Sequence, residues 1–100
     1  MEYQSKFESE EKNELFKAIL ALSSEEECYR FFEDLMTIDE LESISQRWQV
    51  ARLLSEGETY VAIMEKTKAS TATISRINKC LKYGADGYTM MLKRLAEEEK

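Results

Sequence analysis

Residues 59–81 read TYVAIMEKTKASTATISRINKCL, and this stretch decides the fold. Apolar residues recur at helical spacing on both sides of a short polar break. Thr59 is placed to cap a helix over about Tyr60 to Thr67, which offers Val61, Ile63 and Met64. Lys68-Ala69-Ser70 reads as a tight turn. A second helix follows from about Thr71 to Tyr83, with Ile74, Ile77 and Leu81 on its buried face and Gly84 at its end. Two short helices joined by such a turn make a helix-turn-helix, whose second helix can lie in the DNA major groove.

The opening of that second helix suits the task. Ser70, Thr71, Ala72, Thr73 and Ser75 are small, and four of them carry hydroxyls. Small side chains allow close approach to base edges. Threonine methyls and alanine can touch thymine methyls, and hydroxyls can bond either base type. The backbone N–H groups of a helix start also face phosphate favourably. Arg76, Lys79 and Lys82 fall at i, i+3 and i+6, on a rim that could follow the backbone. Lys66 and Lys68, near the turn, are candidate phosphate clamps.

Charge singles out the same segment. The chain of 100 residues carries a formal net charge of −6, which argues against indiscriminate nucleic-acid binding. Residues 1–59 hold 15 acids and six bases, residues 60–82 hold five bases and one acid, and residues 83–100 hold three bases and four acids. A local basic face can dock phosphates while an acidic remainder weakens non-specific contact.

Other chemistry is scarce. There is no histidine, no glycine-rich loop and no nucleophile–base pair, and the carboxylates fall on helix starts and solvated faces, so an enzyme is not expected. Cys28 and Cys80 lack metal-ligand spacing and read as small buried hydrophobes. The N-terminus, MEYQSKFESEEK, has no apolar run of the signal-peptide kind. No segment approaches the roughly 18 apolar residues of a membrane span, so a cytoplasmic location and no membrane partner are expected.

Outward from the central motif, capping patterns divide the rest into helices, and the class is all-α. A first helix is expected from about Phe7 to Leu22, with Leu15, Phe16, Ile19 and Leu22 on one side. Ser24-Glu25-Glu26-Glu27 is a capping box, with Ser24 as N-cap and Glu27 reaching back. It opens a second helix to about Met36 that buries Cys28, Phe31, Phe32 and Leu35. Thr37 repeats the pattern and opens a third helix to about Glu56, striped by Leu41, Ile44, Trp48, Ala51 and Leu54. Gly57 suits a left-handed C-cap. Ala85-Asp86-Gly87 reads as a loop, and a last helix from about Tyr88 to Glu98 carries Met91, Leu92 and Leu95. The closing EEEK reads as a solvated tail. One domain over 1–100 is expected, with dimerisation helices over 1–58, the helix-turn-helix over 59–83 and a C-terminal helix and tail over 84–100. So much apolar helix face is hard for 100 residues to cover alone, which points to a homodimer.

At this point the residues become recognisable. LMTIDELESISQRWQVARLLSEGETY followed by ASTATISRINKCL resembles the Trp repressor superfamily, and within it the YerC/YecD-type Trp-repressor-related bacterial proteins. The likeness covers about Leu35 to Leu95, and the ATISR block, Ala72 to Arg76, is its most specific element. The resemblance implies a six-helix fold and an intertwined homodimer with a helix-turn-helix in each subunit. It further implies a transcriptional regulator, a repressor, bound to a double-stranded palindromic operator. The two reading helices would then sit about one DNA turn, roughly 34 Å, apart.

The Trp repressor also takes L-tryptophan as corepressor. By that resemblance Arg47 and Arg76 match the arginines that sandwich the indole, and Thr37 matches a pocket-lining residue. Two positions depart. Ile77 stands in place of a glycine that leaves space beside the ring, and Cys80 in place of a serine that holds the amino acid. Each change costs about 1–3 kcal/mol of binding, so L-tryptophan is not expected as a cofactor and the effector is left open. Without an effector, Arg47 would pair with a carboxylate on a neighbouring helix and Arg76 would contact phosphate. The motif itself departs too: Lys68 takes a turn position usually held by glycine, at a cost of about 1 kcal/mol, and Met64 a position where a small alanine is common. These departures and the overall acidity keep a second reading open, a helical protein-interaction module that retains the fold without reading DNA.

Overall fold

The computed structural model describes residues 3–99 and places six α-helices along them. These are α1 (Glu10–Leu20), α2 (Glu25–Leu35), α3 (Ile38–Ser55), α4 (Tyr60–Thr67), α5 (Thr71–Tyr83) and α6 (Gly87–Glu98). Side-chain caps set most of the starts. Ser9, Ser24, Thr59 and Ser70 are each extended, and each accepts a hydrogen bond from the backbone N–H three residues on. Each satisfies one of the orphan donors of a helix start.

The Ser9 cap corrects the expected start of α1 at Phe7. Glu10 and Glu11 then fill the first turn, where a negative charge favours the helix dipole. At α2 the reach of Glu27 also differs from a simple box. Its Oε1 accepts from the Ser23 backbone N–H (2.8 Å) and the Ser23 hydroxyl (2.9 Å) rather than from the N–H of the cap Ser24. Two donors on one residue outbid one. The backbone bond first, and the hydroxyl second, hold the Glu27 carboxyl below its ordinary value.

Backbone contacts divide the chain into two compact units, residues 1–37 and 38–100. The first contains α1 and α2. Among the described residues neither helix buries a side chain. Leu35 is exposed, and Cys28, Phe31 and Phe32, expected to be buried, are only half-buried. Phe31 and Phe32 meet edge to face at 5.5 Å. Met1 and Glu2 of the acidic N-terminus lie outside the described residues.

The second unit holds the buried cluster: Val50, Ala51, Leu53, Ile63, Ala69, Ile74 and Ile77, with Leu54, Tyr60, Leu81 and Tyr88 packed around it. Helix α3 touches α4, α5 and α6, and α5 touches α4 and α6. The expected α3 stripe is therefore only partly right. Ala51 is buried, but Val50 and Leu53 join it, while Ile44 is exposed and Leu41 and Trp48 are half-buried. A stripe drawn through Leu41, Ile44 and Trp48 points elsewhere than the face packed on α5.

The helix ends match their sequence signals. Gly57 takes a φ of +84°. The Glu58 N–H donates to the Leu53 carbonyl and the Gly57 N–H to the Leu54 carbonyl, both at 3.1 Å, the paired bonds of a Schellman motif. Gly84 ends α5 by close approach. Its N–H donates to the Cys80 carbonyl at 2.8 Å, and an added Cβ would lie 2.4 Å from that oxygen. Glycine is the residue that fits there. Helix α6 starts at Gly87, one residue earlier than expected, behind a left-handed Asp86. Glu97 and Glu98 continue α6 rather than fraying, Glu99 is exposed, and Lys100 lies outside the described residues.

Candidate nucleic-acid interface

The turn between α4 and α5 is built from short-range hydrogen bonds. Lys68 sits at φ 64°, ψ 13° and donates its N–H to the Met64 carbonyl at 2.9 Å. The expected left-handed lysine is thus what the backbone adopts. The Thr67 hydroxyl donates to the Ile63 carbonyl (2.8 Å) and accepts from the Ala69 N–H (3.2 Å). Ala69 is buried beneath the turn, so its small methyl lets the two helices close. The Gln46 amide on α3 donates to the Thr67 carbonyl at 3.0 Å. The Asn78 amide on α5 donates to the Tyr60 hydroxyl at 3.3 Å. Both ends of α4 are therefore tied, one to α3 and one to α5.

This geometry sorts the candidate reading residues. The Ser70 hydroxyl accepts from the Thr73 N–H and donates to the Thr73 hydroxyl oxygen, both at 3.1 Å. Ser70 and half-buried Thr73 are thus engaged in starting the helix. Thr71, Ala72, Ser75, Arg76, Lys79 and Lys82 are exposed. At 100° per residue, Ala72, Ser75 and Lys79 fall on the side opposite buried Ile74 and Ile77. They form the outward stripe of α5.

The cations divide as well. Among the described residues, Lys68, Arg76, Lys79 and Lys82 make no ion pair, while Lys66 is held by Glu58. Lys66 can meet a phosphate only by sharing or breaking that contact. Arg76, Lys79 and Lys82 do not form one straight rim, because each step of three residues turns 60° around the helix. Arg76 leans toward α3 and α6, and Lys82 toward the opposite side.

Behind Arg76 lies a cavity of about 170 Å³ lined by Arg47, Thr73, Arg76, Ile77, Cys80 and Tyr88. Four of the five candidate effector residues therefore converge, and Thr37 falls in the other unit. Sequence reasoning missed Tyr88 here. Its ring stacks on Trp48 of α3, with centroids 6.3 Å apart and planes 28° apart. The expected ion pair of Arg47 is not made among the described residues, because the side chains across the cavity include no carboxylate. Cys80 is exposed and Cys28 only half-buried, which corrects the expectation of two buried thiols. Met64, 37% exposed, stays outside the buried cluster, and Val61 is 66% exposed. Only Ile63 of the three apolar α4 residues is buried.

Among the described residues no group of three or more His, Cys, Asp or Glu side chains could hold a metal. No helix there is long and apolar enough to cross a membrane.

Known proteins share this architecture and this sequence. The pattern of the family described as Trp repressor protein matches residues 10–96. YerC of Bacillus subtilis is 54% identical over 94 residues, which span 94% of this chain and 90% of YerC. A crystal structure of a Staphylococcus aureus protein described as a candidate Trp repressor superposes with a TM-score of 0.87 at 49% identity, covering 91% of each chain. A TrpR-like protein from Eubacterium eligens gives 0.88 at 52% identity, over 91% of this chain and 94% of its own. This chain belongs to the Trp repressor protein family, as a YerC-type member.

Proposed function

We propose that this protein is a sequence-specific DNA-binding transcriptional regulator, a repressor, that works in the cytoplasm as a homodimer on a double-stranded operator. One observation carries the reading. In a chain of net charge −6, the α5 stripe of Ala72, Ser75 and Lys79 is exposed beside Arg76, Lys82 and Lys68, which make no ion pair among the described residues. Small residues that approach base edges and cations that meet phosphates are then presented together by a hydrogen-bonded turn. The homodimer is supported by α1 and α2, whose Phe16, Leu20, Tyr29 and Leu35 are all exposed in the single chain. A second copy would cover apolar surface that this chain leaves open.

The regulator does not use L-tryptophan as its cofactor in this reading. Ile77, 3% exposed, fills the core side of the Arg47–Arg76 cavity with a branched side chain, and Cys80 supplies only a weak donor there. The chain performs no catalysis. The test is selection of genomic duplexes by the purified protein, with affinity measured across salt. A regulator of this kind gives enriched palindromic sites and a log–log salt slope of about −0.9 per phosphate contact. A dimer that binds no duplex at low salt overturns the proposal.

One observation favours a second reading, a helical protein-interaction module without DNA reading. Val61 and Met64 stand at i and i+3 as exposed apolar residues of α4, where a phosphate-facing helix is better served by polar or cationic side chains. A single stoichiometric protein partner, with no DNA enrichment in cells, would favour that module.

A further inference from the structure

We propose that Tyr88 is a positioning residue for DNA reading: its ring, stacked on Trp48, is the wall that closes the cavity behind Arg76 and sets the seating of α5 against α3 and α6. The inference rests on the DNA-binding function proposed above.

Helix α6 is weakly held at its start. Asp86 precedes it at φ 67° and makes no side-chain cap bond. Among the described residues, α6 buries no side chain fully. Tyr88 is its one residue packed on the buried cluster. The same ring meets Trp48 on α3 and faces Thr73, Arg76, Ile77 and Cys80 of α5 across the cavity. One side chain therefore links the three helices that surround the reading face from behind. Aromatic pairs of this kind add to the area they bury, so the ring ties α6 to α3.

The consequence follows from populations. A duplex selects molecules whose α5 is seated correctly. If loss of the ring leaves about one molecule in ten seated, the apparent affinity falls about tenfold. The loss also leaves a ring-sized gap beside Trp48 and Ile77, in a cavity whose other lining side chains are mostly polar, and a phenol offers both an apolar ring and a hydroxyl to that mixed lining. A free phenol can then replace the missing side chain.

The experiment uses the full-length protein, the variants Tyr88→Ala and Tyr88→Phe, and p-cresol as probe. Trp48 is the only tryptophan, so its fluorescence reports the stack with no DNA present. Tyr88→Ala is expected to change Trp48 emission, p-cresol to reverse that change saturably, and Tyr88→Phe to keep the wild-type signal. Duplex affinity is expected to fall about tenfold in Tyr88→Ala, to recover with p-cresol, and to hold in Tyr88→Phe. A ring that serves stability alone would lower the melting temperature of Tyr88→Ala yet leave duplex affinity unchanged at temperatures where the variant is folded.

Wild-type duplex affinity in Tyr88→Ala overturns the inference. So does p-cresol that restores the fluorescence but not the binding, or that leaves the fluorescence untouched. If circular dichroism shows that Tyr88→Ala does not fold, Tyr88→Leu takes its place. It should lose affinity without a p-cresol response, and wild-type affinity in that variant overturns the inference. A wild-type protein that binds no duplex defeats the proposed function itself. The fluorescence arm then still reports whether the wall exists.

Discussion

Replacing Lys68 by glycine separates the backbone role of this residue from its charge. Lys68 occupies the left-handed region at φ 64° and ψ 13°. A residue with a β-carbon is disfavoured there by about 1–2 kcal/mol. Glycine adopts that geometry freely but loses more chain entropy on folding, by about 0.5–1 kcal/mol. The N–H bond to the Met64 carbonyl is kept in either case. The balance predicts that Lys68→Gly stabilises the fold by about 0.5–1 kcal/mol, the gap between those two costs. For a domain of this size that raises the melting temperature by roughly 2–8 °C, at fixed protein concentration. Lys68 also makes no ion pair among the described residues, so the same change should remove one phosphate contact and shrink the salt slope by about 0.9. Lys68→Ala is the control, since it keeps the strained backbone and loses the charge. It should show the reduced slope without the gain in stability. A lower melting temperature in Lys68→Gly would refute the strain argument, and an unchanged slope would refute the clamp.

Three more perturbations test other parts of the molecule. Ile74 is fully buried, so Ile74→Ala should cost about 2–5 kcal/mol in urea unfolding; a cost below 1 kcal/mol would show that α5 is not seated on this core. Arg76→Ala and Lys79→Ala should each weaken duplex binding and reduce the salt slope by about 0.9 while the sedimentation behaviour stays that of the unaltered protein. Retention of the full slope in both would remove them from the interface. The Glu27 carboxyl is held below its ordinary value of about 4.5 by the bonds from Ser23. A depressed carboxylate lends stability above the unfolded value, and that stability is lost as pH falls through the folded value. NMR titration should therefore place the Glu27 midpoint below an ordinary glutamate, and Glu27→Gln should flatten the acid side of the stability profile.

Much of this architecture is written in local chemistry. Thr59, Ser70 and Ser24 cap where a hydroxyl can reach the N–H three residues on, and Gly57 turns where only a missing β-carbon is comfortable. Such signals span a few residues, so they survive without tertiary context. The departures need partners that periodicity cannot see. Helix α3 has apolar residues on more than one face, and Leu41, Ile44 and Trp48 look as core-like as Val50 and Leu53. Only the placement of α4 and α5 decides which of them is buried. Likewise the contact of Tyr88 with Trp48 joins residues 40 apart in the chain. No spacing rule predicts it. Cys80, read as a small buried hydrophobe for want of metal-ligand spacing, falls on the exposed flank that borders the cavity.

The 13 residues of α5 divide their tasks by face, and under the proposed function this bears on how regulation can change without loss of DNA reading. Ile74 and Ile77 hold the helix to the core. Ser70 and Thr73 start it. Ala72, Ser75 and Lys79 point away from the core, while Thr73, Arg76, Ile77 and Cys80 line the cavity. A substitution at position 77 or 80 therefore alters what the cavity accepts while leaving the outward stripe untouched. Of the α5 cations, Arg76 alone lines the cavity. Under the proposed function, a small molecule held in that cavity would act on DNA through where it places the Arg76 guanidinium. On this division of labour, a relative could exchange its trigger by changes on one flank of α5 and keep its operator by preserving the outward stripe.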